Sequence, residues 1–114
     1  MTNPGLIRDL QRAVGAKWVL HAAEDLIVYE YDATIERGLP EAVVLPDSAD
    51  QVAAVVRIAR RRGVPVTARG AGTGLSGGAI PCDGGVVIAT SRMNRVLEVD
   101  PENRIAVVEP GVIN

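Results

Sequence analysis

The chain has 114 residues, of which 47% are hydrophobic and 23% charged, a composition typical of one globular domain with a modest core. A net charge of −2 argues against a strong attraction to nucleic acid or to an anionic membrane. The single cysteine, Cys82, permits no internal disulfide, and no long apolar run opens the chain. We therefore expect no signal peptide or membrane span and predict a cytoplasmic location.

The first forty residues form a lead-in to the main domain, which we assign to residues 41–114. A short amphipathic helix is predicted over residues 4–15, because Pro4 suits a first turn and Gly15 suits a helix end. A strand around residues 27–31 is the one further element that the pattern indicates before Pro40.

A strand, a helix and a second strand are predicted next. The first strand covers residues 43–45 and ends at Pro46, and Ser48 with Gln51 forms a capping box for a helix that runs to about residue 62. Its apolar positions follow helical spacing: Val52, Val55, Val56 and Ala59. Gly63 ends the helix.

The second strand of this unit is predicted over residues 64–68. A βαβ unit of this length predicts two parallel strands joined by a right-handed crossover. Pro65 indicates either that the second strand lies near a sheet edge or that Pro65 is the first turn of this strand out of the loop. A third strand is predicted over residues 86–90. Residues 96–99 and 104–108 alternate around a turn at 100–103 and predict an antiparallel hairpin. The expected fold is therefore α+β.

The run RGAGTGLSGG at residues 69–78 holds five of the twelve glycines and follows a predicted parallel strand. Ligands of open α/β sheets bind beyond the carboxyl ends of such strands, and small residues let backbone N–H groups approach an anion. A Rossmann fingerprint is disfavoured because Pro81 and further glycines prevent a helix after the run. A Walker loop is excluded because the only lysine is Lys17.

A phosphate cradle is then favoured over a flexible linker, since linkers do not usually separate a capped βαβ unit from an apolar strand. The segments PDSADQVAAVVRIARRRGVPVTARGAGTGLSGGAIP and GGVVIATSRMNRVLEVDPENRIAVVEPGV resemble the FAD-binding domain of the vanillyl-alcohol oxidase type of FAD-linked oxidases. Within that family the resemblance is closest to glycolate oxidase and FAD-dependent D-lactate dehydrogenase subunits. It implies a PCMH-type fold, here a parallel βαβ subdomain followed by an antiparallel subdomain and truncated at the apolar end VVEPGVIN.

The resemblance also implies which residues hold FAD. Main-chain N–H groups of the glycine loop would bind the pyrophosphate, Pro46 would lie near the adenine, and Gly111 would pass close to the flavin. The full set of implied cofactor-binding residues is Pro46, Arg69, Gly70, Ala71, Gly72, Thr73, Gly74, Ser76, Gly77, Gly78, Ala79 and Gly111.

The implied flavin is not covalently bound. Some family members attach FAD through a histidine four residues after the arginine of the loop, and Thr73 occupies that position here. The only histidine, His21, lies far upstream and is interpreted as structural, and no metal site is expected. The catalytic residues are not identified within this chain.

The family resemblance implies oxidation of a small 2-hydroxy acid by the full-length protein, with an iron–sulfur electron-transfer subunit as a candidate partner. Two alternatives stay open: a non-catalytic phosphate- or nucleotide-binding module, and a structural segment without a ligand. The arginines at 57 and 60–62 are interpreted as a solvated helix end rather than a nucleic-acid surface, because the chain has only three aromatic residues.

Overall fold

A four-stranded sheet organises the chain in the computed structural model, which describes residues 3–26, 40–70 and 85–113. Its strand order is β1-β2-β4-β3, formed by Val19–Leu20, Ala42–Val44, Val86–Ala89 and Val66–Arg69. Both β2 and β3 pair parallel to β4, whereas β1 pairs antiparallel to β2. The two strands of the predicted βαβ unit are therefore parallel, as expected, but β4 lies between them. The strand β3 occupies the edge that Pro65 indicated.

The two predicted helices, α1 and α3, begin and end close to the predicted positions. The helical elements are α1 (Pro4–Val14), a 3-10 turn (Ala16–Trp18), α2 (Ala23–Leu26) and α3 (Ala49–Arg61). In α1 the Asn3 side chain accepts a hydrogen bond from the Leu6 N–H at 3.2 Å, and Gly15 ends the helix with a φ of 96°. The turn at 16–18, α2 and β1 fall within the lead-in that the sequence pattern left unassigned.

The cap of α3 differs in one bond from the predicted capping box. Ser48 Oγ accepts from the Gln51 N–H at 3.2 Å, but the Gln51 side chain accepts from the N–H of Asp47, one residue before the cap. At the other end Gly63 has a φ of 65°, and the Val64 N–H donates to the Ala59 carbonyl at 2.9 Å. This is a Schellman ending, so Gly63 terminates the helix as predicted.

The core lies on both faces of the two central strands. One cluster places α1 and α3 against one sheet face and contains Leu6, Leu10, Val44, Val55 and Val86 among its members. A second cluster on the opposite face joins Leu26, Val43, Val87 and Ala89. Every residue of β2 and β4 is consequently buried, as expected for central parallel strands.

One predicted core position of α3 is wrong. Val56 is 44% exposed, whereas Ile58, which the sequence pattern did not assign to the apolar face, is 7% exposed. The i, i+3, i+4 pattern allows either side of the stripe to face the sheet, and the contact with α1 selects the Val55–Ile58–Ala59 side.

The predicted hairpin is present as β5 (Val96–Asp100) and β6 (Ile105–Val108), with a register irregularity between Val96 and Glu98. At its turn the Asp100 carboxylate accepts from the Asn103 N–H, and Arg104 has a φ of 56°. Apolar side chains on both strands are exposed, from 41% at Val107 to 64% at Val99. The hairpin forms a separate two-stranded sheet.

The strand expected around residues 27–31 lies outside the described residues, and so do the glycine loop from residue 71 and Cys82. Within the described parts of the chain, no helix has both the length and the apolar character needed to cross a bilayer.

Candidate cofactor site

Three parallel strands end at the same edge of the sheet, and the candidate site lies there. In the register of the sheet Val44 of β2 and Ala68 of β3 both align with Ile88 of β4, so their chain ends leave the sheet side by side. Pro46 follows β2, Gly70 follows β3, and Thr90 follows β4. Because all three strands are parallel, this is the carboxyl edge, where ligands of such sheets bind.

The start of the glycine loop is tied to β4. The Thr90 N–H donates to the Arg69 carbonyl at 3.0 Å, and the Thr90 hydroxyl reaches the same oxygen at 3.3 Å. Arg69 is half-buried, whereas Gly70 is exposed, and no atom of the described residues lies within 4 Å of the position that a Cβ of Gly70 would occupy. The described part of β3 therefore ends in a firmly paired residue followed by an exposed glycine.

Arg92 fixes the end of β2 from the neighbouring turn. Its guanidinium donates to the Leu45 carbonyl at 2.6 Å, stacks over the Trp18 ring at 3.7 Å and lies 3.8 Å from the Asp47 carboxylate. A planar guanidinium suits this combination, because it donates within its plane and stacks across its face. Arg92 thereby holds the segment that contains the fully buried Pro46.

The segment after β6 returns to the same edge at Gly111. The Gly111 N–H donates to the Met93 carbonyl at 2.7 Å. A Cβ at Gly111 would lie 1.9 Å from the Thr90 carbonyl oxygen and 2.8 Å from that of Met93. Such distances leave no room for any side chain, so this crossing requires glycine.

A buried carboxylate anchors the crossing. Glu109 is 8% exposed and is bound by the Arg95 side chain through contacts of 2.6 and 3.1 Å, while the Arg95 backbone N–H donates to it at 2.9 Å. The hydrogen bonds from Arg95 hold the pKa of the Glu109 carboxyl below its ordinary value, against the opposing effect of burial. The charged form of Glu109 is thus favoured in the folded state.

The structure brings together all the described members of the implied cofactor site. Pro46, Arg69 and Gly70 follow their strands at the carboxyl edge, and Gly111 lies against Thr90 at the same edge. The remaining members, Ala71, Gly72, Thr73, Gly74, Ser76, Gly77, Gly78 and Ala79, lie outside the described residues.

Sequence reasoning missed Thr90 and Arg92, which connect these segments. The signal was a polar Thr-Ser-Arg run directly after a buried strand, at the sheet edge where the glycine loop also begins. His21 is exposed and follows β1, which runs antiparallel to β2, so it lies toward the opposite edge. No group of three or more metal-ligating side chains occurs among the described residues.

Residues 40–114 match a family model described as an FAD binding domain. The chain belongs to this FAD-binding domain family. The matched range begins within two residues of β2 and includes all three parallel strands, the glycine loop and the hairpin. An anionic, elongated cofactor such as FAD fits this edge. The features that suit it are the cationic residue at the end of β3, the exposed Gly70 and the crossing without a side chain at Gly111. FAD is the cofactor of this domain.

Curated relatives include oxidoreductases of small hydroxy acids. The chain is 45% identical over 110 residues to glycolate oxidase subunit GlcD of Escherichia coli, covering 96% of this chain and 22% of that protein. It is 42% identical over 89 residues to a D-lactate dehydrogenase of Archaeoglobus fulgidus, covering 74% of this chain and 20% of that protein. The chain thus spans about a fifth of the length of these relatives.

The fold matches the solved structure of a larger enzyme. p-Cresol methylhydroxylase with bound substrate superposes with a TM-score of 0.83 at 27% identity, over 97% of this chain and 23% of the other. The expected PCMH-type α+β fold is therefore confirmed.

Replacing Gly111 by alanine is predicted to destabilise the protein by at least about 2 kcal/mol, because the new Cβ meets the backbone of Thr90, which cannot rotate away. Urea unfolding followed by circular dichroism measures the loss. Gly70→Ala is the matched control: its Cβ meets no atom within 4 Å, so the free energy of unfolding should change by less than about 0.5 kcal/mol. Equal losses in the two variants would contradict the close crossing.

The Glu109–Arg95 pair predicts a loss of stability in acid. Because the pKa of Glu109 is lowered in the folded state, its contribution is present above the ordinary glutamate value of 4.5 and declines as the pH falls from there through the folded-state pKa. Glu109→Gln should have a lower free energy of unfolding than the wild type at neutral pH. As the pH falls further, its stability should decline less steeply than that of the wild type. Arg95→Met should flatten the profile in the same way. Thermal unfolding measured from pH 7 to pH 3 gives the dependence of stability on pH for each protein. If both variants keep the slope of the wild type, other groups cause the acid sensitivity.

Proposed function

We propose that this chain forms the pyrophosphate-binding part of a flavin-dependent oxidoreductase that converts a 2-hydroxy acid to a 2-oxo acid. The observation that carries the proposal is the convergence of Pro46, Arg69, Gly70 and Gly111 at one sheet edge, in a chain whose residues 40–114 match the FAD-binding domain family.

Each segment at this edge has a role in holding the cofactor. The loop that begins at Arg69 and Gly70, including Gly72, Thr73, Gly74 and the small residues to Ala79, supplies backbone N–H donors to the pyrophosphate. Pro46, which is fully buried, fixes the chain at the end of β2 beside the proposed adenine position, and Arg92 keeps this segment in place through the Leu45 carbonyl. Gly111 lets the returning chain approach without a side chain.

The FAD is proposed to be dissociable. Thr73 stands where the family's covalent members have a histidine, and a threonine hydroxyl does not form that link. His21 lies toward the opposite sheet edge and does not substitute for it.

When bound, FAD would supply the two-electron acceptor for the hydride equivalent lost from C2 of a 2-hydroxy acid. The hydroxyl proton goes to a base that we do not assign to any residue of this chain. Glycolate and D-lactate are the substrates we favour, since both are named in relatives that share 42–45% of aligned residues with this chain.

The activity belongs to a longer protein, in which residues 41–114 form the first part of the FAD-binding domain. The apolar side chains of the β5–β6 hairpin support this, because a contiguous exposed apolar surface normally packs against further structure. We place this protein in the cytoplasm. An iron–sulfur subunit is its candidate electron acceptor.

Gly74→Val is predicted to weaken FAD binding at least tenfold, because a β-branched side chain fills the space that the pyrophosphate needs beside the backbone. Quenching of flavin fluorescence on titration of FAD with purified protein measures the affinity. Ala53→Val adds a side chain of the same kind on the exposed face of α3 and should bind like the wild type. Equal affinity in all three proteins would remove the glycine loop from the cofactor site. Tighter binding of ATP than of FAD by the wild type would instead favour a nucleotide-binding module.

Full-length protein loaded with FAD is predicted to reduce a dichlorophenolindophenol dye with glycolate or D-lactate as the electron donor. The isomer 3-hydroxypropanoate is the matched control for D-lactate, because its hydroxyl is not on C2, and should give less than about a tenth of the rate. Deuterium at C2 of the substrate should slow flavin reduction, since that C–H bond breaks. Reduction by 4-methylphenol but by neither hydroxy acid would contradict the proposed substrate class.

A further inference from the structure

A groove rich in arginine lies between α1 and α3, away from the cofactor edge. It has a volume of about 830 Å³. Its apolar floor is formed by Ala13, Ala54 and Ile58, and Asp9 is the one carboxylate among the described residues that line it. Five arginines complete the lining, namely Arg12, Arg57, Arg60, Arg61 and Arg62.

Helix periodicity explains why these side chains meet. Ala54, Arg57, Ile58 and Arg61 follow i, i+3, i+4 and i+7 spacing on α3, and Asp9, Arg12 and Ala13 follow the corresponding spacing on α1. The packing of α1 against α3 places the two faces opposite each other. The groove therefore gathers five of the twelve basic residues of a chain whose net charge is −2.

Asp9 shows how the groove binds a carboxylate. Its Oδ2 accepts hydrogen bonds from Arg62 Nη2 at 2.7 Å and from Arg62 Nε at 3.2 Å. These bonds, and then the positive charges of Arg62, Arg61 and Arg12, lower the pKa of the Asp9 carboxyl below its ordinary value. An anion entering the groove meets the same field.

Four of the five arginines have capacity for a further anion. Arg62 is committed to Asp9, and its guanidinium lies 3.1 Å from the position of a Cβ at Gly5 in the first turn of α1. Arg12, Arg57, Arg60 and Arg61 are exposed and form no ion pair within the described parts of the chain.

We propose that this groove is a docking surface for an acidic segment of a partner protein, with glutamate or aspartate side chains bound by Arg12, Arg57 and Arg61. Guanidinium groups bind carboxylates through paired hydrogen bonds, and the apolar floor suits an aliphatic side chain between the acidic ones. The positive charge of the arginines in the groove favours an acidic occupant.

A nucleic acid fits this groove less well. None of the described residues that line it is aromatic, so they offer no stacking surface to bases. Arg57 and Arg61 lie about 6 Å apart along the helix axis, a length that meets only about two phosphates of one strand. The negative net charge of the chain opposes a long polyanion but not a short acidic segment.

The surface is independent of the proposed cofactor function. The carboxyl end of α3 is followed by Gly63 and by the start of β3, so Arg60 and Arg61 lie toward the amino edge of the parallel strands. Pro46, Gly70 and Gly111 lie at the carboxyl edge. A partner segment in the groove leaves the described residues of the carboxyl edge accessible.

Fluorescence anisotropy of a labelled peptide of alternating glutamate and leucine, titrated with the purified full-length protein, tests the proposal. The wild type should bind saturably, and Arg57→Glu/Arg61→Glu should bind at least tenfold more weakly. Arg8→Glu/Arg104→Glu changes the net charge by the same amount at exposed positions outside the groove, and should stay within about twofold of the wild type. Circular dichroism and FAD titration of each variant verify that folding and cofactor binding are retained.

Three results would overturn the proposal. The first is no saturable binding by the wild type at about 0.1 M salt. The second is an equal loss of peptide affinity in the groove variant and its control, which would show that the affinity depends on the net charge of the protein and not on the groove. The third is tighter binding of a single-stranded oligonucleotide than of the peptide, with the loss at the same two arginines, which would assign the groove to nucleic acid. The charge-preserving variant Arg57→Lys/Arg61→Lys should retain part of the affinity, whereas full retention would exclude a role for the guanidinium geometry.

Discussion

The parallel pairing of β2 and β3 to the central strand β4 is the constraint on which the rest of the structure depends. It buries every side chain of β2 and β4, and it aligns three strand ends at one edge. Parallel strands need a crossover, and α3 supplies it with a side-chain cap at one end and a glycine at the other. The position of the glycine loop follows from this pairing, because the loop starts where β3 ends.

The cofactor edge is assembled from segments far apart in the chain, held by polar contacts rather than by apolar packing alone. Arg92 joins the turn after β4 to the end of β2, and the Thr90 hydroxyl and N–H join it to β3. The Glu109–Arg95 pair then brings the chain after β6 back to the same turn. A buried carboxylate is tolerated there only because its charge is fully bonded. Such a network restricts the geometry around the site more narrowly than hydrophobic contact does.

Charge is distributed unevenly between the two sheet edges. The carboxyl edge carries Arg69 and Arg92, and Arg92 is bonded to the Leu45 carbonyl and lies near Asp47. Among the described residues, the groove between α1 and α3 concentrates five arginines around one aspartate. An anionic cofactor and an acidic partner can then bind to one small domain without competing for the same cations.

Local signals in the sequence sufficed for α1, α3 and the hairpin. The Asn3 and Ser48 caps, Gly15 and Gly63 act within a few residues, so α1 and α3 were predicted to within about two residues at each end. The family likewise followed from a contiguous motif, whereas the assignment of Pro46, Arg69, Gly70 and Gly111 to the cofactor stays a prediction that rests on the resemblance. What only the tertiary structure decided concerns contacts between distant segments. It inserted β4 between β2 and β3, turned Ile58 rather than Val56 toward the core, and explained Gly111 by the carbonyl of Thr90. It also placed the arginines of α3 opposite Asp9 and Arg12. The physical reason is that hydrophobic periodicity specifies which face of an element is buried, but the partner that buries it is selected by packing across the whole domain.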